Sequence, residues 1–522
     1  MPAVKSIAVR ARALLADAAR LGRSPWAVAL GLTAVAGVAL RVWAYRSVAG
    51  TPNADEAVVG LMVRHALHGE LTTFYWAQSY GGTQEVLLTV PLFALAGSSW
   101  LALRAVPIVL SAVASYLVWR VGRRTIGEPA ATVAALAFWV WPAFNIYVLT
   151  HQQGFYASNV VYCPLLLLLA LRAVERPDLV RVGLLGLVLG LAFWQTPQIV
   201  PVAVGVVGWT IWKQPRVLRG LPVAIPLALL GALPWIVWNA GHGWASLEQP
   251  GYGDKLHSLR LLASPVLPMI VGLRAPFSAD LLIPAALTYL AYVGLVVLFV
   301  VGAIRTWRQP RSILYVVVAV FPVVYALAPK TSLALGTPRF VVVLTPLLAL
   351  LLAQLATTRA RGIAVLALAC VVSVVTFARM EAWFEGTPRT VTHSEGLGPR
   401  HTVQWVPRDL GPLIDTLDRL RLDRVYAEYW TAYRLDFDTR ERIIAAVSNF
   451  DGLLDDGRRA TPRPGGPSRR PDYERRVGAS RHGFVFYAPT VDSVPIVREL
   501  QRRGYRPHRV GTFVVYAPPG PA

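Results

Sequence analysis

Cysteine is nearly absent: Cys163 and Cys370 are the only two, and both fall inside long apolar runs. No disulfide framework is therefore available to the exposed parts of the chain. Acids are almost as scarce in the first three quarters. Before Met380 they occur only at Asp17, Asp55, Glu56, Glu70, Glu85, Glu128, Glu175, Asp178, Glu248, Asp254 and Asp280. In a chain whose residues are 55% hydrophobic and only 15% charged overall, this acid-poor region lacks the charged surface of a water-soluble domain and reads as helices in lipid. From Met380 onward Asp, Glu and Arg become dense, which marks a domain boundary. Lysine is confined to Lys5, Lys213, Lys255 and Lys330, so Arg carries nearly all the positive charge. The first apolar run follows Lys5, Arg10, Arg12, Arg20 and Arg23 and lacks a small-residue cleavage pattern. Residues 1–24 are therefore expected to be a retained basic cytoplasmic segment. No repeat at a solenoid period and no inverted repeat stands out.

The net charge of +22 does not point to nucleic acid, because the Arg residues are spread over short loops and a tail that also carries many acids. A span needs roughly 20 apolar residues. Candidate spans are 25–43, 99–119, 129–149, 158–174, 182–197, 199–212, 221–238, 282–304, 312–328, 339–356 and 363–379. Five basic clusters then fall on the side of the N-terminus: Arg120, Arg123 and Arg124; Arg172, Arg176 and Arg181; Lys213, Arg216 and Arg219; Arg305, Arg308 and Arg311; Arg359 and Arg361. That is the positive-inside pattern. The apolar segment Glu85 to Ala96 is only about 18 Å long as a helix. Counting it as a span would turn every cluster outward, so it is expected to be juxtamembrane or re-entrant.

The expectation is a polytopic α-helical membrane protein of about eleven transmembrane helices with a C-terminal extracytoplasmic α/β domain. Residues 25–379 form the membrane domain, with a first outer loop at 44–98, and residues 380–522 form the outer domain. In the tail, Leu410 to Leu420 and Val494 to Arg503 have helical spacing, and Arg440 to Val447 reads as helical or extended. Arg424 to Tyr429, Gly483 to Tyr487 and Arg509 to Tyr516 read as strands. The Pro, Gly and Arg stretch at 458–472 is expected to be disordered.

Chemistry concentrates after the first span, in Asn53-Ala54-Asp55-Glu56. These residues suit a helix start, with Asn53 as N-cap, Glu56 closing a capping box and Asp55 complementing the dipole. Such a cap is compatible with catalysis, since an ionised, positioned Asp can accept a proton from a hydroxyl. The Asp-Glu pair, the run Phe74-Tyr75-Trp76-Ala77-Gln78-Ser79-Tyr80-Gly81-Gly82-Thr83-Gln84-Glu85, the run Gly97-Ser98-Ser99-Trp100-Leu101-Ala102-Leu103-Arg104, and Thr337-Pro338-Arg339-Phe340 resemble the GT-C superfamily of membrane glycosyltransferases. Within it they are most similar to bacterial relatives of the protein O-mannosyltransferases and aminoarabinose transferases.

The resemblance implies transfer of a sugar from a polyprenyl-phosphate donor to a glycan, lipid or protein acceptor at the outer face, commonly with inversion. It places the family's acidic pair on Asp55 and Glu56. Donor phosphate is then expected at Arg339, Lys330, Arg274 or Arg104, and substrate contacts at His151, Tyr80, Glu85 and Gln78. Several members hold a divalent metal with acids of the first two outer loops, but the second loop here, Thr150 to Ala157, has none. Metal is therefore the minority reading and no cofactor is expected. Asp436-Phe437-Asp438 matches a sugar-nucleotide motif only in its letters and reads as strand alternation into a turn. The aromatics from Tyr426 to Tyr433 look exposed, as for acceptor contact. The competing class is a transporter or flippase for a polyprenyl-linked lipid or sugar; the loop position of the acids and the span-end position of Arg41 and Arg104 favour an enzyme.

Overall fold

The computed structural model describes residues 24–248, 255–327, 338–386, 390–393, 401–404, 407–447, 468–493 and 496–520. Lys330, Asp254, Thr337, the segment before Ser24 and most of the 458–472 stretch lie outside them. Every one of the eleven candidate spans is helical over most of its length. Five helices are individually long and apolar enough to cross a membrane: Pro25–Arg46, Trp100–Thr125, Tyr156–Glu175, Ala285–Thr306 and Arg359–Gly386. A sixth candidate is the pair Pro215–Gly231 and Leu233–Gly241, bent by 62°. The 129–149 run is broken after Trp139, with Pro142 starting the short Ala143–Val148 helix.

Local sequence explains the starts and stops. Ser24, Ser99 and Asp178 each accept a bond from a backbone N–H of the following first turn, satisfying a donor the helix cannot. The Gln84–Ala96 helix is 13 residues long, about 20 Å, and stops at Gly97, whose φ of 78° suits glycine. Arg41, near the C-terminal end of its helix, has Nη1 donating to the Gly37 and Trp139 carbonyls and Nη2 to Ser111 Oγ. Most of the Ala285–Thr306 surface is uncovered by protein, as expected of a lipid-facing helix.

The tail carries a hairpin, β1 (Thr390–His393) and β2 (His401–Gln404), and a five-stranded sheet of order β4-β3-β5-β7-β6. Its strands are β3 (Arg424–Ala427), β4 (Ile444–Val447), β5 (Gly483–Tyr487), β6 (Arg506–Val510) and β7 (Phe513–Ala517). β4 and β5 run parallel to β3 on either side, and β7 and β6 complete the sheet antiparallel. Helices Gly411–Arg419 and Ile496–Arg502 fall where their periodicity puts them, and the strand expected at 509–516 is a hairpin of β6 and β7. Tyr429–Asp438 is a helix capped by Glu428, so Asp436-Phe437-Asp438 ends a helix and not a strand. Tyr429 and Tyr433 are 4% and 1% exposed, which corrects the expectation of surface aromatics.

That helix docks the tail onto the Ala54–Leu67 helix. Side chains of both share one apolar cluster, including Val59, Val63, Tyr433 and Phe437. The Phe437 ring lies over Gly60, where an added Cβ would come within 2.3 Å of it. Arg64 Nη2 donates to the Phe437 carbonyl and Trp100 Nε1 to Asp438 Oδ1. Arg434, fully buried, donates to the Pro52 carbonyl and to Asp438. Glu381 accepts from the Val48 and Ala49 amides, so the last long helix ends beside the start of the first loop. The tail and the acidic pair thus lie at one end of the bundle.

Gly60→Ala is expected to destabilise by about 1–3 kcal/mol through overpacking against Phe437. Gly208→Ala, with nothing within 4 Å of the new Cβ, should be neutral. Thermal unfolding of the two purified variants in detergent distinguishes them, and equal midpoints would contradict this docking.

Candidate active site

The capping box forms as its sequence dictates: Asn53 Oδ1 accepts from the Glu56 amide at 3.0 Å and Glu56 turns back toward the Asn53 amide at 3.4 Å. Glu56 then does more than cap. It is wholly buried, and Arg104, 1% exposed, donates to both its oxygens, Nε to Oε1 at 2.8 Å and Nη2 to Oε2 at 2.6 Å. Arg104 Nη1 reaches the Gly50 carbonyl at 2.8 Å, and the Gln152 amide donates to Glu56 Oε1 at 3.0 Å. Burial alone would raise the Glu56 carboxyl, but the Arg104 charge holds it below the usual carboxylate range. A bidentate, desolvated pair of this kind fixes geometry. Arg104 is thereby committed to Glu56, which takes its guanidinium away from a lipid phosphate.

Asp55 is the partly open member of the pair. The Tyr75 hydroxyl donates to its carbonyl at 3.1 Å, and the Tyr429 hydroxyl, from the tail, donates to its Oδ1 at 2.6 Å. Arg469 Nε reaches the Tyr429 oxygen at 3.4 Å, and its guanidinium lies 5.1 Å from the Tyr75 ring centre and 5.7 Å from that of Tyr429. With its amide oxygen turned inward, Gln78 accepts from Arg469 Nη1 at 2.9 Å. Tyr156 lies within electrostatic range of Arg339, Tyr80 and Asp55 at once, and Tyr80 packs edge-on to Phe155 with ring centres 6.2 Å apart. The first loop and the tail thus meet at Asp55.

The remaining expected residues sit elsewhere or face inward. His151 is 1% exposed, with Nδ1 on the Tyr147 carbonyl and Nε2 4.0 Å from Glu56. Burial pushes its pKa down to about 4, so it is neutral packing behind the ion pair and closed off from a substrate. Glu85 is likewise buried and accepts from the Ser158 amide and hydroxyl, tying the Gln84–Ala96 helix to the Tyr156–Glu175 helix. Arg274 donates to the Ala279 carbonyl within its own loop. Among the described residues no three His, Cys, Asp or Glu side chains are arranged to hold a metal, and the first-loop acids are engaged as above. Tyr75, Tyr156, Tyr429 and Arg469 are the members that sequence reasoning missed. Tyr75 and Tyr156 stood inside quoted runs, Tyr429 in the run read as acceptor contact, and Arg469 in the stretch expected to be disordered.

An apolar helical bundle with a capped acidic pair in its first loop, covered by the tail, resembles the GT-C membrane glycosyltransferases in fold and motif order. More narrowly, residues 86–238 match the dolichyl-phosphate-mannose-protein mannosyltransferase family. The fold is similar to that of ArnT from Cupriavidus metallidurans in the apo state, with a TM-score of 0.55 at 14% identity over 89% of this chain and 94% of that one. The same protein bound to undecaprenyl phosphate gives 0.58 at 12% identity over 94% and 99%. At those identities the likeness is one of fold. A sequence search of curated proteins finds no match.

His65, on the helix that carries Asp55, bridges to the tail. Its ring nitrogens meet Glu70 and Glu441, each at 2.9 Å, with Arg470 on Glu70 and the Tyr473 hydroxyl on Glu441. The Glu441 hydrogen bond raises the His65 pKa. The Arg470 bond lowers that of Glu70; for Glu441, burial opposes but the His65 and Tyr473 bonds prevail and lower it. A raised histidine contributes fully below its ordinary value and loses that contribution as pH rises through the folded value; depressed carboxylates lose theirs as pH falls. Docking is therefore strongest between about pH 4.5 and 6.5. Protease resistance of the tail in detergent should fall on raising the pH to 8.5, with the decline abolished in His65→Phe. A flat wild-type profile would contradict the bridge.

Proposed function

We propose that this protein transfers a sugar from a polyprenyl-phosphate-linked donor to a cell-envelope acceptor at the outer face of the cytoplasmic membrane, with Asp55 as general base. One observation carries the reading: Asp55 is held by a tyrosine of the first loop and a tyrosine of the tail. In this reading eleven spans put the N-terminus inside, and residues 380–522 are the outer domain beside the first loop. The family match and the ArnT-like fold support a transferase of this kind; ArnT itself has been captured with undecaprenyl phosphate.

The reaction asks little of the protein. The acceptor oxygen attacks the anomeric carbon from the face opposite the lipid phosphate while its proton passes to Asp55. The bond from the anomeric carbon to the phosphate oxygen breaks and its electron pair leaves on the phosphate, giving inversion. Arg339 supplies positive charge to that phosphate. Glu56 is the positioning member of the pair, since its oxygens are already filled by Arg104 and Gln152. Tyr80 and Gln78 line the approach, where an aromatic face and an amide suit a sugar. Lys330 remains a further phosphate candidate by sequence. A transporter would place ionisable groups along a path through the bilayer, whereas Arg41 and Arg104 are tied to fixed partners.

In reconstituted vesicles supplied with a polyprenyl-phosphate sugar, Asp55→Asn should lower transfer by about 10²–10⁴-fold at equal protein. Arg339→Gln should raise the donor KM. Near-normal transfer by Asp55→Asn would refute the assignment, and an unchanged KM in Arg339→Gln would leave Arg339 as an interfacial anchor.

A further inference from the structure

We infer that Tyr429 of the tail domain is a positioning residue of the transfer site, binding Asp55 Oδ1 so that Oδ2 takes the acceptor proton. The inference rests on Asp55 being the base. A phenol has one proton to give, and that of Tyr429 goes to Asp55 at 2.6 Å, while its oxygen takes Arg469 Nε at 3.4 Å. The two oxygens of a carboxylate exchange places by rotation, and a strong bond to one stops the exchange. The Tyr75 hydroxyl, on the carbonyl of the same residue, fixes the backbone from the other side. Burial pushes the pKa of both tyrosines well above the usual value, so each remains a donor across physiological pH.

The fold gives Tyr429 its place. β3 is the central strand of the parallel trio, its neighbours β4 and β5 reached in opposite directions, so the crevice of the sheet opens at the carboxyl end of β3. Tyr429 begins the helix that follows that strand, and the same helix is fastened to the Asp55 helix through the Phe437 carbonyl, to Pro52 just before it through Arg434, and to the Trp100–Thr125 helix through Asp438. A side chain on such an anchored element is held more closely than one on a loop. The tail is therefore part of the reaction centre, and its docking register sets the geometry of the base.

The full-length Tyr429→Phe variant in vesicles should lose roughly 10- to 100-fold in kcat, the range for one hydrogen bond to a charged group, with the donor KM within about twofold. Tyr505→Phe, elsewhere in the tail with its ring packed on Phe484, should keep its kcat. Wild-type kcat in Tyr429→Phe, or equal losses in both variants, would overturn the inference. If Tyr429→Phe fails to accumulate, Arg469→Gln, which strips the second partner from the Tyr429 oxygen, must show the same split of kcat from KM; an unchanged kcat then overturns it. Should Asp55→Asn transfer normally while Tyr429→Phe still loses kcat, the choice of base has failed, not the place of Tyr429 in the site.

Discussion

The buried contact between Glu56 and Arg104 is the constraint on which the site depends. Both side chains are withdrawn from water, a costly step that the bidentate geometry and the added bonds to Gly50 and Gln152 offset. Four segments meet there: the end of the first span, the helix of the acidic pair, the start of the second span and the second outer loop. A charge buried with all its partners supplied has one arrangement open to it. The adjacent Asp55 inherits that fixity without sharing the burial, and so can be both placed and reactive.

The tail acts on the same helix further along its length. Its Tyr429–Asp438 helix lays Phe437 on Gly60, donates from Arg434 to the Pro52 carbonyl and accepts from Trp100 through Asp438. The letters Asp-Phe-Asp, which look like a sugar-nucleotide motif, are thus docking residues, with Asp436 accepting from the Ala445 amide inside the tail core. The Ala54–Leu67 helix is held by both the ion pair and the tail, and its N-terminus carries Asp55, where the hydroxyls of Tyr75 and Tyr429 meet.

What could be read from sequence was what is local. Apolar run length located the helices, the Asn53 to Glu56 spacing gave the capping box, and the shortness of Glu85 to Ala96 matched a 13-residue helix. The cost of burying Arg104 implied a partner, but whether that was a phosphate or Glu56, 48 residues away, is a matter of packing. Tyr429 and Asp55 are separated by 374 residues, and no periodicity encodes such a meeting. The tail helix was read as the end of a strand because its aromatic and β-branched content favours strands, while Glu428, which caps it, is an ordinary acid until its neighbours are known. His151 looked like a polar loop residue because nothing in Thr150-His151-Gln152 reports its burial.

Glu56 as frame and Asp55 as base are separable by a double-mutant cycle on the ion pair, with Glu56→Met, Arg104→Met and the double variant compared in thermal stability and sugar transfer. Each single change strands a buried charge and should cost about 3–5 kcal/mol, while the double should recover most of that loss and retain measurable transfer, because Asp55 is intact. Additive losses of stability, or a stable double variant as inactive as Asp55→Asn, would contradict the account and move the base to Glu56.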